Sequence, residues 1–280
     1  MKQLSSNRCF NGEQRIYEHE SSTIGLPMKF GVYLPPQALK GEGELKQCKT
    51  LFYLAGLTCT EETFAIKAHA QAMAAELGII IVTPDTSPRG DTAQGDHWDI
   101  GQGAGFYIDA TQAPWTPHFK MESYIAQELY ELVKTSFPVD PARIGIFGHS
   151  MGGHGALTLA FKYPKLYRSV SAFAPIAAPV DCAWGQKAFS QYLGNNQDEW
   201  AGHDASRLIA QKGKQFDSIL VDQGMSDQFL NQLCIDQLEM ACQQAGQPLT
   251  LRCHAGYDHG YYFIQSFVQD HLKFHAGQLQ

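Results

Sequence analysis

"IGIFGHSMGG", residues 144–153, is an apolar run that ends at a glycine and then presents one serine among small residues. Ile144–Phe147 has the β-branched and aromatic character of a buried strand, and the run Gly155–Tyr163 after the serine reads as a helix. The pentapeptide GHSMG fits G-x-S-x-G, and strand–turn–helix is the setting that gives this pattern chemical meaning. A nucleophile placed there sits in a tight, strained turn where bulky neighbours would clash, hence the flanking glycines. The turn lifts the hydroxyl above the sheet, and the following helix aims its first amides at developing negative charge. A plain helix N-cap explains a serine before a helix, but not glycines two residues away on both sides. Ser150 therefore reads as a nucleophile.

Outward from this turn, strand-like and helix-like segments alternate. "MKFGVYLPP" (28–36), "KTLFYLAGL" (49–57), "GIIIVTPD" (78–85), "ARIGIFG" (142–148), "YRSVSAFAP" (167–175), "DSILVDQG" (217–224) and "PLTLRCHAG" (248–256) are short apolar runs, several of them closed by Pro or Gly. Between them, residues 61–78, 121–137 and 227–246 carry apolar side chains at helical spacing, the first and last ending at Gly78 and Gly246. This alternation predicts an α/β fold: one domain over residues 1–280, with a mostly parallel central sheet and helices on both faces. Residues 176–210 break the rhythm, as an excursion over the active edge of the sheet would.

Bulk properties narrow the function. Apolar residues make up 44% of the 280 and charged residues 18%, ample for a packed core, and the formal charge is −7. An acidic surface argues against nucleic-acid or anionic-membrane partners. The opening "MKQLSSNRCFNGEQRIYEHE" has no apolar core of signal-peptide length, and no stretch approaches a membrane span, so a cytoplasmic protein is expected. Seven cysteines at irregular spacing, with no C-x-x-C, suggest reduced thiols rather than a zinc site or a disulfide framework.

A serine hydroxyl needs a base to take its proton, and in this motif's fold the acid and then the base follow later strands in chain order. His259, in "HAGYDHGYYF" (254–263), lies just past the last strand-like run and before a helix. His254 is its nearest rival, His271 and His275 fall on the last helix where a surface role is expected, and His149 and His154 flank the serine too closely in sequence. For the acid, "VDQGMSDQFL" (221–230) offers Asp222 within the strand and Asp227 in the loop beyond it, the better reach to an imidazole. Its role is to orient the ring and stabilise the imidazolium. Asp258 reads as a solvated turn residue. An oxyanion hole needs two backbone donors: Met151 directly after the serine, and Leu57 in the loop after an early strand, where Gly56 permits close approach.

"YLAGLTCTEETF" (53–64), "WDIGQGAGFYIDAT" (98–111), "IFGHSMGGHGALTLAFKYP" (146–164), "DQGMSDQFL" (222–230) and "YDHGYYFI" (257–264) together resemble the S-formylglutathione hydrolase (esterase D) family, from about residue 9 to about residue 276. "LTCTEE" and "GAGFYIDAT" are the specific part; "GHSMGGHGAL" occurs in other esterases too. The resemblance implies the α/β-hydrolase fold, no cofactor, and a cytoplasmic homodimer that hydrolyses a glutathione thioester to formate and glutathione. It implies a triad of Ser150, Asp227 and His259, with oxyanion donors at Leu57 and Met151. It also associates Cys59 with sensitivity to thiol reagents; a glutathione mixed disulfide there would block the site, and a merely buried thiol is the competing reading. Trp98, Phe106 and Tyr107 read as pocket wall, against a surface loop packed by its own aromatics. His97 and Asp99 lack the further ligands a metal would need.

Two rivals share the motif: a broad short-chain carboxylesterase, and a hydrolase-fold binding module that has lost catalysis. A mycolyltransferase-like enzyme would want a secretion signal.

Overall fold

The computed structural model describes residues 1–39, 47–91 and 94–280. Among the described residues, nine strands form one sheet in the order β1-β2-β3-β5-β4-β6-β7-β8-β9. They are β1 (Lys2–Cys9), β2 (Gly12–Glu20), β3 (Pro27–Leu34), β4 (Cys48–Leu54), β5 (Ile79–Pro84), β6 (Val139–His149), β7 (Ser169–Phe173), β8 (Ile219–Gly224) and β9 (Leu249–His254). From β5 to β9 every neighbouring pair is parallel, while β1, β2, β3 and β5 pair antiparallel. The predicted mostly parallel α/β sheet is thus observed, with an antiparallel flank.

That flank is where sequence reading fell short. β1 and β2 carry charged and polar residues without clean alternation, since β1 is an edge strand with nearly every side chain exposed or half-buried. They are joined by a two-residue turn in which Phe10 (φ 48°) and Asn11 (φ 60°) both take positive φ, matching the twist of a tight hairpin. Of the strands read from sequence, β5, β7 and β8 are buried along their whole length, as strands covered on two faces must be, while β3 lies in the flank and β9 closes the opposite edge.

Two sets of helices cover the sheet. Helix Gln71–Leu77 packs on the C-terminal helix Tyr261–Gln278, and helix Met151–Lys162 packs on Ala205–Lys212, which meets Ile235–Ala245. Two expected helices are broken. Residues 61–78 split into Thr63–Lys67 and Gln71–Leu77 around His69 (φ 56°), and residues 227–246 split into Leu230–Leu233 and Ile235–Ala245 around Cys234 (φ 50°). The segment 176–210 contains helix Ala183–Tyr192, helix Gln197–Trp200 and the start of Ala205–Lys212.

The C-terminal helix corrects a second expectation. His271 and His275 are fully buried, not surface residues. His271 Nδ1 meets Ser171 Oγ at 2.8 Å, Ser171 Oγ meets His275 Nε2 at 2.8 Å, and His275 Nδ1 meets Ser169 Oγ at 2.6 Å. These contacts tie the helix to β7. Asp222 on β8 continues the network, taking two 2.6 Å hydrogen bonds from Arg252 and facing His271 Nε2 at 3.3 Å.

Candidate active site

Ser150 stands between β6 and helix Met151–Lys162 with φ 57° and ψ −119°, a backbone conformation costly for any L-residue. The turn is over-determined, which is what holds the strain. Ser150 N–H donates to Phe173 O at 2.9 Å, and Ser150 O accepts from His154 N at 2.9 Å. The two motif glycines are dictated by backbone proximity. A Cβ on Gly148 would lie 2.2 Å from Gly152 O, and one on Gly152 would lie 1.9 Å from Leu54 O.

His259 and Asp227, 32 residues apart, are in contact: Nδ1 lies 2.5 Å from Asp227 Oδ2. Asp227 sits in the loop after β8, its other oxygen accepting from Phe229 N at 2.7 Å, and Gln223 Nε2 donates to Oδ2 at 3.3 Å. Its side chain is fully buried, so the carboxylate is aimed by fixed donors and meets the imidazole out of bulk water. Asp222, the alternative acid, has its oxygens committed to Arg252 and the C-terminal helix. Burial acts to raise its pKa, but the hydrogen bonds from His271 and Arg252 outweigh this and hold it at about 2. His254, the alternative base, lies 3.4 Å from Asp222 and stacks on Phe267.

His149, next to Ser150 in the chain, packs against His259. Its ring centre is 4.5 Å from that of His259, and a Cβ on Gly56 would lie 3.1 Å from His149 Nδ1 and 3.3 Å from Ser150 Cβ. Gly56 therefore lies against both His149 and Ser150, and the His149 ring lies against that of His259. His149 is buried with neither ring nitrogen hydrogen-bonded among the described residues. Burial, and then the neighbouring His259, hold its pKa well below the usual histidine value, so it remains neutral.

Two amides of this region have no backbone acceptor among the described residues. Met151 opens its helix, so its N–H has no intrahelical acceptor. In the loop after β4, Thr58 N donates to Gly103 O at 2.9 Å and Cys59 N to Gly56 O at 3.3 Å, while among the described residues the Leu57 N–H is left without a backbone acceptor.

The glycine-rich loop packs against the segment around Leu57. Phe106 is buried in the core with φ 49°, and its carbonyl lies 3.1 Å from His154 Nε2. Tyr107 donates its hydroxyl hydrogen to Ala55 O at 2.9 Å, and Gly103 sits so close to Thr58 that a Cβ would lie 2.9 Å from Thr58 Cα. The loop braces the backbone on either side of Leu57. Trp98 is 56% exposed, at the outer end of an aromatic row: Trp98 to Trp184 at 6.0 Å, Trp184 to Phe229 at 4.6 Å, Phe229 to His259 at 5.1 Å between ring centres. Nothing local in sequence distinguishes Trp184 and Phe229, the middle of this row, from core aromatics.

Cys59 is half-buried, and burial raises its thiol pKa despite hydrogen bonding with Tyr261 and Thr63. Such a thiol is mostly protonated near neutrality, which weakens the case for a reactive thiolate. Among the described residues no group of three or more His, Cys, Asp or Glu is arranged to hold a metal ion. No described helix is long and apolar enough to cross a membrane.

A family model described as "Putative esterase" matches residues 21–274. The chain is 51% identical to the S-formylglutathione hydrolase of Mus musculus, over 100% of this chain and 99% of that one. It is also 51% identical to the S-formylglutathione hydrolase of Paracoccus denitrificans, over 99% and 97%. The solved S-formylglutathione hydrolase of Agrobacterium tumefaciens superposes with a TM-score of 0.96 at 44% identity, covering 100% of both chains.

Proposed function

This chain belongs to the S-formylglutathione hydrolase family of esterases, and we propose that it hydrolyses S-formylglutathione to formate and glutathione through a formyl-serine intermediate. Ser150 is the nucleophile, His259 the base and Asp227 the group that orients it. What supports this reading is the Asp227–His259 contact, together with a serine held at φ 57° next to His149, whose ring centre lies 4.5 Å from that of His259.

The chemistry follows from the placement. His259 takes the Ser150 proton through Nε2 as Oγ attacks the formyl carbon, while Nδ1–H stays on Asp227. The developing oxyanion falls to the Leu57 and Met151 amides, dipoles already fixed before the reaction. Collapse breaks the C–S bond; the glutathione sulfur leaves with the proton from His259. A thiol of pKa about 8.5–9 needs less help to depart than an amine, so a thioester suits this triad. Water then gives a proton to His259 and attacks the formyl-serine, releasing formate and restoring Ser150. Further family likeness supports a cytoplasmic homodimer acting as a single α/β-hydrolase domain, which sedimentation would check.

The rival reading is a general short-chain esterase with the same triad. Comparing kcat/KM for S-formylglutathione and for an aryl acetate decides between them: a preference for the thioester of at least about a hundredfold is expected. Equal values, or preference for the acetate, would overturn the assignment.

A further inference from the structure

We propose that the cleft walled by Lys67 and His69 binds the peptide of the departing glutathione. This rests on the hydrolase reading above and names the residues that recognise its leaving group. The cleft, about 800 Å³, lies between the turn after helix Thr63–Lys67 and the loop that carries His259. Ile66, Lys67 and His69 form one wall; Asp258, Tyr261 and Tyr262 form the other.

Three observations point to a glutathione peptide there. The first is position. In the proposed mechanism His259 returns its proton to the leaving sulfur, so the sulfur departs on the His259 side, and the cleft wall contains Asp258 and Gly260, the residues on either side of His259 in the chain. The second is charge. A glutathione thioester carries two carboxylates and one ammonium near neutral pH, and the protein it approaches has a formal charge of −7. Other cations around the site are committed, Lys187 to Asp99 at 2.6 Å and Arg89 to Asp85 at 2.5 Å. Lys67, by contrast, forms no ion pair among the described residues and lies 5.8 Å over the Tyr261 ring. It is free to take a carboxylate. Asp258 has one oxygen on Gly260 N at 2.9 Å, leaving the other for the ammonium. The third is surface. Ile66 is 68% exposed and Tyr262 80% exposed at the lips of the cleft, apolar area that a peptide would cover.

The test combines equilibrium binding of S-methylglutathione, a thioether that cannot be hydrolysed, with kinetics on S-formylglutathione and on an aryl acetate that lacks the peptide. Lys67→Glu is expected to raise the Kd for S-methylglutathione and the KM for S-formylglutathione about tenfold, and to flatten their dependence on salt. Lys67→Gln should give about a third of that effect. A Kd unchanged in Lys67→Glu, or no binding of S-methylglutathione at millimolar concentration by the parent, overturns the proposal. So does an equal loss on the aryl acetate, which would mean damage to the triad. Should the parent bind S-methylglutathione in a Lys67-dependent way yet fail to hydrolyse S-formylglutathione, the hydrolase reading falls and the subsite stands.

Discussion

Asparagine substitutions at Asp227 and Asp222 should separate catalysis from stability. Both carboxylates are buried near the end of β8, five residues apart, and both touch histidines, but their surroundings assign them opposite work. Asp222→Asn takes the negative charge from Arg252, which otherwise holds it through two 2.6 Å bonds. Breaking a fully buried ion pair costs about 3–5 kcal/mol. Arg252 is about a third exposed and keeps Asp270 at 2.8 Å, which places the loss near the lower end, about 3 kcal/mol. With an unfolding entropy of about 2.1 cal/mol/K per residue, a chain of this length would lose about 5 °C in Tm. Its kcat, corrected for folded protein, should stay within about twofold of the parent, because no Asp222 atom touches His259. Asp227→Asn should do the reverse. Asn keeps an acceptor for Phe229 N, so stability should change by less than about 1 kcal/mol. It loses the carboxylate that fixes the His259 tautomer, which should lower kcat about 10⁴-fold. Thermal melts and aryl acetate kinetics on the two variants measure both quantities. A folded Asp222→Asn without activity, or an Asp227→Asn that retains most of it, would refute the division of roles.

Acid should unfold this protein earlier than its carboxylates alone would dictate. Burial depresses the pKa of His149 and His275 well below normal and that of His154 to about 3, so below pH 6.5 the unfolded chain binds more protons than the folded one. Stability therefore falls as pH drops, by roughly 1.2 kcal/mol per histidine between pH 7 and 5.5, or roughly 4 kcal/mol together. Asp109 and Asp204, whose carboxyls burial raises, oppose the slope once they titrate. Urea unfolding at the two pH values checks this; a flat profile contradicts it. Gly152→Ala forces a Cβ onto Leu54 O and should cost about 3 kcal/mol, whereas Gly56→Ala meets His149 and Ser150 only at 3.1–3.3 Å. The latter should keep a near-parental Tm while kcat falls about tenfold, through displacement of the serine and the oxyanion loop. Finally, exposed Cys253 should react with a disulfide reagent before Cys59, whose buried thiol has a raised pKa.

What the sequence disclosed is what local physics makes explicit. The Gly148–Gly152 turn is readable because only glycine fits against Gly152 O and Leu54 O. β5, β7 and β8 are readable because a strand covered on both faces must be apolar throughout. The hairpin β1–β2 was silent, because an edge strand owes no pattern to a core. His271 and His275 were misplaced outward, since sequence spacing cannot reveal that Ser169 and Ser171 wait beneath the helix to satisfy them. The bracing of the backbone around Leu57 by Tyr107 and Gly103 shows the same limit, since a contact between segments some fifty residues apart leaves no local pattern.

Mapping the adduct of a fluorophosphonate by peptide mass spectrometry tests the convergence of these three side chains most directly. The account predicts one adduct, on Ser150, absent from Ser150→Ala and formed about a thousandfold more slowly in His259→Ala. Labelling of a different residue, or labelling of Ser150 at an undiminished rate without His259, would contradict it.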